Sequence, residues 1–259
     1  MAPRDPWFEL RRYTQARIGQ GRAGCATPTQ PQLEFQLAHA MARDAVHQAW
    51  SVEHFAQVLA AKTWQSLALA TPILNRRHYL QRPDLGRILA PASRDTLQAL
   101  EVPAPDVALV VSNGLSSTAV ETHGLPLLAA VIEAYAECAL SISPICLVAN
   151  ARVAVADEIG ALLGAKASVI IVGERPGLSA ADSLGIYLTH APQPGRTDAE
   201  RNCLSNIRPP AGMSYTAAAA KLAYLTRQAL QRQLSGVALK DDMREGAVPS
   251  DGEPMLNAR

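Results

Sequence analysis

The chain has 259 residues, with 24 Lys and Arg against 23 Asp and Glu, 48% hydrophobic residues and 18% charged ones. That is long enough for one large domain or two ordinary ones around a packed core. A net charge of +1 offers no global field for nucleic acid, an anionic membrane or an acidic partner.

Four cysteines, Cys25, Cys138, Cys146 and Cys203, show neither paired metal-ligand spacing nor a dense disulfide framework, so free thiols in a reducing cytoplasm are expected. The start, Met1 to Phe8, lacks a signal-peptide core, and no apolar run reaches the roughly 18 residues of a membrane span. Neither export nor membrane insertion is expected.

Trp7 to Gly24 is arginine-rich, with Arg11, Arg12, Arg17 and Arg22 among Leu10, Tyr13 and Ile18. Two readings stay open: contact with a phosphate or acidic partner, or a solvated arm whose arginine stems lie on apolar surface. Gly19 to Gly24 matches G-x-G-x-x-G, but polar flanks and Pro28 deny it the strand and helix of a dinucleotide fingerprint.

From Gln32 the period becomes helical, with Leu33, Leu37, Met41 and Ala45 at spacing four and Pro31 in the first turn. His39, Arg43, Asp44 and His47 lie here, but histidines eight apart span more than two turns and do not chelate one ion unaided. A polar edge is the preferred reading. The helical pattern runs on from Phe55 to Leu69 and breaks at Thr71-Pro72. A basic, turn-rich passage, Asn75 to Tyr79 and Arg82 to Gly86, closes a mostly helical region over residues 1–102.

Pro103-Ala-Pro105 opens the second region, residues 103–240, where strands and helices alternate. Expected strands are Asp106–Val111, Ile145–Ala149, Ser168–Val172 and Ile186–Thr189. Expected helices are Leu127–Cys138, with Pro126 near its start, Val155–Leu163, and an alanine-rich Tyr215–Leu234 closed by Gly236. This β-α-β-α-β order implies an α/β fold, a Rossmann-like parallel sheet flanked by helices. Residues 241–259 are polar and read as a disordered tail.

The stretch Ser168 to Cys203 organises the functional reading. An uninterrupted β-branched run, Ser168-Val-Ile-Ile-Val172, meets the turn Gly173-Glu-Arg-Pro-Gly177 and then a polar loop. Ligands of open α/β sheets bind beyond the carboxyl ends of the strands, which places Glu174 and Arg175 at a ligand edge. Taken alone, the same turn also suits two solvated charges.

Several strings occur together in one order: Arg11 to Arg17 with Gly21 to Gly24, Tyr79 to Gly86, Gly114-Leu-Ser116, Arg152-Val153 with Asp157, Gly173 to Leu178, and Asn202-Cys-Leu-Ser-Asn-Ile207. From about Leu10 to Lys240 the chain resembles the ethanolamine ammonia-lyase small, or light, subunit. The resemblance implies a hetero-oligomer with a heavy (large) subunit whose (β/α)₈ barrel holds the substrate and the catalytic residues. It also implies a base-on adenosylcobalamin shared by the two chains, for the radical conversion of ethanolamine to acetaldehyde and ammonia. The light chain's carboxyl-end loops would cover part of the corrinoid and its nucleotide tail. Family positions contacting the cofactor fall on Val153, Glu174 and Cys203, all beyond expected strand ends. Taken alone, Cys203 would read as a core thiol. No metal ligand is expected here, and the Asp-x-His-x-x-Gly motif of base-off cobalamin modules is absent from the sequence.

Two departures from the family pattern stand out. Asn113 replaces a common aspartate before Gly-Leu-Ser, and Ala151 a common glycine before Arg-Val, so that backbone must accept L-residue angles. Some family members carry a long N-terminal extension associated with bacterial microcompartments. Here the matching region starts within about ten residues of Met1, so a freely soluble cytoplasmic complex is the expectation. Two alternatives of other classes are an assembly subunit without cofactor contact and a nucleotide-dependent oxidoreductase. The latter would need a glycine-rich turn after strand one and an acid after strand two, where Ser112-Asn-Gly and Asn150 stand instead.

Overall fold

A computed structural model describes residues 5–243. Of the expected tail, residues 244–259 lie outside that range. The arginine-rich start forms a short 3₁₀ turn, Phe8–Tyr13, and Arg11 and Arg12 stack on the rings of Phe8 and Tyr13. Gly19, Gly21 and Gly24 all adopt positive φ in irregular chain, so the G-x-G-x-x-G string opens no helix.

Helix α1, Thr29–His47, follows the spacing-four pattern, yet buries only Ala45 and leaves Leu33, Leu37 and Met41 more than half exposed. Helix α2, Val52–Ala61, is capped by Ser51, whose hydroxyl accepts the His54 N–H, and buries Val52, Phe55 and Leu59.

The helical expectation to Leu69 fails there. Thr63 turns the chain at φ +61°, and Ser66–Leu69 becomes strand β1, paired in parallel with a strand far along the sequence. Its residues, Ser-Leu-Ala-Leu, favour a helix by propensity, and tertiary pairing overrides that preference.

Two short helices, α3 (Arg76–Gln81) and α4 (Pro91–Gln98), lead to the buried strand β2, Val107–Ser112. Then come α5 (Ser117–Ala119), a π-helical turn, α6 (Leu125–Glu137), β3 (Ile145–Val148), α7 (Val155–Leu162) and β4 (Ala167–Gly173). The chain continues through β5 (Leu184–His190), β6 (Arg201–Ile207) and α8 (Tyr215–Arg232). Gln233 in the left-handed region, not Gly236, closes α8.

The sheet order is β1-β3-β2-β4-β5-β6. The first four strands are mutually parallel, while β5 runs antiparallel to both β4 and β6. The expected parallel sheet flanked by helices is present as a mostly parallel one, with β5 antiparallel and β6 standing where the sequence suggests polar loop. Its sequence Arg-Asn-Cys-Leu-Ser-Asn-Ile lacks a β-branched run because it is an edge strand, burying only Arg201, Leu204 and Ile207.

Alternate residues of β2 feed two cores, as the two-residue strand period requires. Val107, Leu109 and Val111 pack with α2, α6 and α8, and Ala108 and Val110 pack with α4 and α7. The result is helices on both faces of one sheet, to which β1, from the expected helical region, also belongs. Each fully buried aliphatic side chain in these layers contributes about 1.5–3 kcal/mol.

Candidate functional site at the carboxyl edge of the sheet

Strands β2 and β4 end against each other. Gly114 has φ +47°, and a Cβ there would lie 2.3 Å from Val172 Cγ2 and 2.4 Å from the Gly173 carbonyl. A Cβ on Gly173 would meet the Ser116 carbonyl at 2.2 Å. Only glycine at both positions allows the Leu115 N–H to donate to the Gly173 carbonyl at 2.9 Å. The two turns therefore form one continuous rim.

The rim is extended by β3. Asn113 Oδ1 accepts the Asn150 N–H at 2.7 Å, and its amide donates to Ser117 Oγ at 2.9 Å. Ser112 Oγ accepts the Ala151 N–H at 3.2 Å. The left-handed residue in this loop is Asn150, at φ +54°, so the methyl group of buried Ala151 is accommodated without strain.

Arg76, at the start of α3, joins three segments. It donates to Val46 O at the end of α1 (2.5 Å), Gly114 O (2.6 Å) and Asn150 Oδ1 (3.0 Å). Beside it Tyr79 is fully buried and donates to the Ala151 carbonyl at 3.1 Å. The Arg76 and Arg152 guanidinium carbons lie 4.9 and 4.5 Å from the Tyr79 ring centroid. Burial lowers the Arg76 pKa, with Arg152 adding to the effect, and burial raises that of Tyr79 against the pull of both arginines.

Glu174 leaves β4 and turns to β6. Its carboxylate accepts from Ser205 Oγ at 2.5 Å and from the Asn206 N–H at 3.1 Å. A bulge in the β5–β6 pairing and the left-handed Asn206 (φ +58°) bring these two groups to it. The loop behind Glu174 is held by Ser116 Oγ on Ala181 O, by His123 and Arg208 on Asp182, and by Arg17 on Leu178 O.

These residues surround an open cavity of about 450 Å³, whose wall includes Tyr79, Arg152, Val153, Glu174, Tyr187 and Ser205. A second hollow of about 600 Å³ adjoins it, and Arg152 and Val153 line both. Val153 and Glu174 thus meet on one cavity. Cys203 does not lie beyond a strand end. It sits exposed within β6, directly opposite Tyr187, and lines neither hollow.

Partial desolvation raises the Cys203 thiol pKa, so the thiolate is disfavoured and the residue offers contact, not nucleophilic attack. Tyr187 is likewise pushed up, first by burial and then by Cys203. Among the described residues no three of His, Cys, Asp and Glu are placed to hold a metal ion. The sequence reading passed over Tyr187 and Ser205. Their partners lie across strand pairings that no local pattern reveals.

The fold and this cleft define an α/β protein whose sheet edge carries a concave, mixed polar and apolar hollow, open on its outer side. The model of the ethanolamine ammonia-lyase light chain (EutC) matches residues 4–240. The chain is 50% identical over 253 residues to the ethanolamine ammonia-lyase small subunit of Pseudomonas syringae pv. tomato, covering 96% of this chain and 88% of that protein. It is 51% identical over 254 residues to the small subunit of Azotobacter vinelandii (97% and 94% covered), and 52% identical over 240 residues to that of Ralstonia nicotianae (92% and 88%). The chain belongs to the ethanolamine ammonia-lyase small-subunit family, a name that implies a large-subunit partner.

Proposed function

We propose that this chain is the non-catalytic light half of an ethanolamine ammonia-lyase and that its carboxyl edge completes, with the large subunit, a shared adenosylcobalamin site. The observation that carries the proposal is the meeting of Val153 and Glu174 on one open cavity. The residues suit the group: a corrinoid is a broad apolar plate fringed by amides, and here apolar Val153, Leu115 and Val172 stand beside hydrogen-bonding Glu174, Tyr187 and Ser205. When bound, the cofactor supplies radical chemistry through homolysis of its cobalt–carbon bond. The chain's own residues bind and orient. Glu174, with two of its roughly four lone-pair sites taken, accepts further hydrogen bonds, and Val153 excludes water from an apolar contact. Tyr187 on β5 and Cys203 opposite it on β6 continue the same face of the sheet. Four unpaired thiols support work in a reducing cytoplasm.

Glu174→Ala in the reconstituted complex tests this. A charged hydrogen bond of about 1.5–3 kcal/mol predicts roughly ten- to hundredfold weaker cofactor binding, with the subunits still associated. Unchanged affinity in an intact complex would make the chain an assembly subunit without cofactor contact.

A further inference from the structure

Among the described residues, most charged ones around the two hollows are committed to partners; the exposed Arg87 and Arg175 are not. Arg94 pairs with Glu158, Arg196 with Glu200, Arg201 with Asp157 and Arg208 with Asp182. Glu158 also accepts the Leu89 N–H, and Glu174 holds Ser205 and Asn206. Arg152 differs. Its guanidinium makes no hydrogen bond and no ion pair among the described residues, and its Nε is buried without an acceptor.

Among the described residues its guanidinium rests on the face of Tyr79, which it shares with a second partly buried cation, Arg76. Arg175, on the wall of the first cavity, also has no anionic partner among the described residues. Arg175 is exposed, but a partly buried cation without a counter-ion, as Arg152 is, is unfavourable unless a ligand supplies the charge. The place is specific, because Arg152 stands where the 450 Å³ and 600 Å³ hollows meet. A planar guanidinium already oriented on an aromatic ring is suited to bidentate recognition of phosphate oxygens.

We propose that Arg152 is the anion-recognising residue of this edge and binds the phosphodiester of the corrinoid's nucleotide tail. The inference rests on the shared-cofactor reading above and adds to it a chemical subsite. The amide fringe of a cobalamin is neutral, and its tail carries one phosphodiester, so a cation facing such a ligand has that anion as its partner. Arg175 adds positive potential to the same wall, and Tyr79 fixes the plane of the guanidinium.

The experiment compares three probes on the reconstituted two-subunit complex: adenosylcobalamin, adenosylcobinamide phosphate and adenosylcobinamide, which lacks the phosphate. Arg152→Gln should weaken binding of the first two by about tenfold or more and leave the third unchanged. Arg152→Lys, which keeps the charge and guards against a folding defect in the glutamine variant, should recover part of the loss. Circular dichroism and size-exclusion chromatography of each variant report fold and association. Equal losses for all three probes, no loss for any, or weakened subunit association with cofactor affinity intact would overturn the assignment. The last result would mean that Arg152 pairs with an acid of the large subunit. Glu174→Ala is measured in parallel on the same probes. If it weakens all three while Arg152→Gln does not single out phosphate, the subsite alone fails; if neither variant changes any affinity, the shared-cofactor reading fails with it.

Discussion

Arg201 and Asp157 meet inside the protein at 2.7 Å, with side chains 2% and 1% exposed. Thr189 Oγ1 and the Arg196 carbonyl accept from Arg201 Nη1 and Nη2, while its Nε is left without a hydrogen bond, and the pair ties β6 to α7, the strand of Cys203 to the helix that follows Val153. Asp157→Ala leaves the buried Arg201 with only the exposed Asp198, 3.5 Å from its Nε, and should lower stability by about 3–5 kcal/mol in urea unfolding, whereas replacing both partners by apolar residues should cost much less. Gly114→Ala drives a methyl group into Val172 and the Gly173 carbonyl at a left-handed position. A loss of about 2–4 kcal/mol is expected by the same measurement. His190 carries a pH dependence. Burial, then Arg196, holds its pKa below the usual value of about 6.5, so the folded protein prefers the neutral ring. Its stabilising contribution is complete above that value and is lost as pH falls through the folded pKa. From about pH 7 to about pH 5 the wild type should lose more thermal stability than His190→Gln, and parallel curves would contradict this. At this scale the sequence was informative only where a residue's meaning is local. The Gly173-to-Gly177 turn marked Glu174 directly, and the family strings marked Val153. Ser205 acquires its role from a bulge, and Arg152 from an aromatic ring more than seventy positions earlier.

Helices with a clean apolar face were legible as elements: α6, α7 and α8 fall within two residues of their expected ends because buried stripes and caps are local signals. Edge strands were not. Strand β1 has helix-forming residues and β6 polar ones, and both exist through pairing with β3 and β5. The direction of β5 was also hidden, since a buried strand reads the same in either sense. Helix α1 raises a different question, for its apolar side is exposed at Leu33, Leu37 and Met41, and Phe35 is exposed on the opposite face. In the isolated chain, limited proteolysis should cut first within residues 5–47, where few side chains are buried. Addition of the large subunit should slow that cut severalfold if this segment is covered in the complex, and an unchanged rate would show that it stays free.

The whole molecule is held by one sheet with a core on each face, and the N-terminal third is part of both its sheet and its packing. Strand β1 covers the outer edge of β3, and Phe55 and Leu59 of α2 complete the core beside α6. Residues 103–240 expressed alone should therefore lack a cooperative unfolding transition. A sharp two-state transition in that fragment would show that it is an independent domain. The strand order also has a temporal consequence. A ribosome releases Ser66–Leu69 long before its partner Ile145–Val148 exists, whereas β4, β5 and β6 are neighbours both in sequence and in the sheet. Contacts between sequence neighbours close cheaply, and distant ones wait on a longer loop. The antiparallel meander, with Glu174 at its first turn and Cys203 on its last strand, needs no such wait, and β3 is available to β1 before the meander emerges. Of the α-helices, only α8, which closes the core beside α6, emerges after the strands that carry this edge.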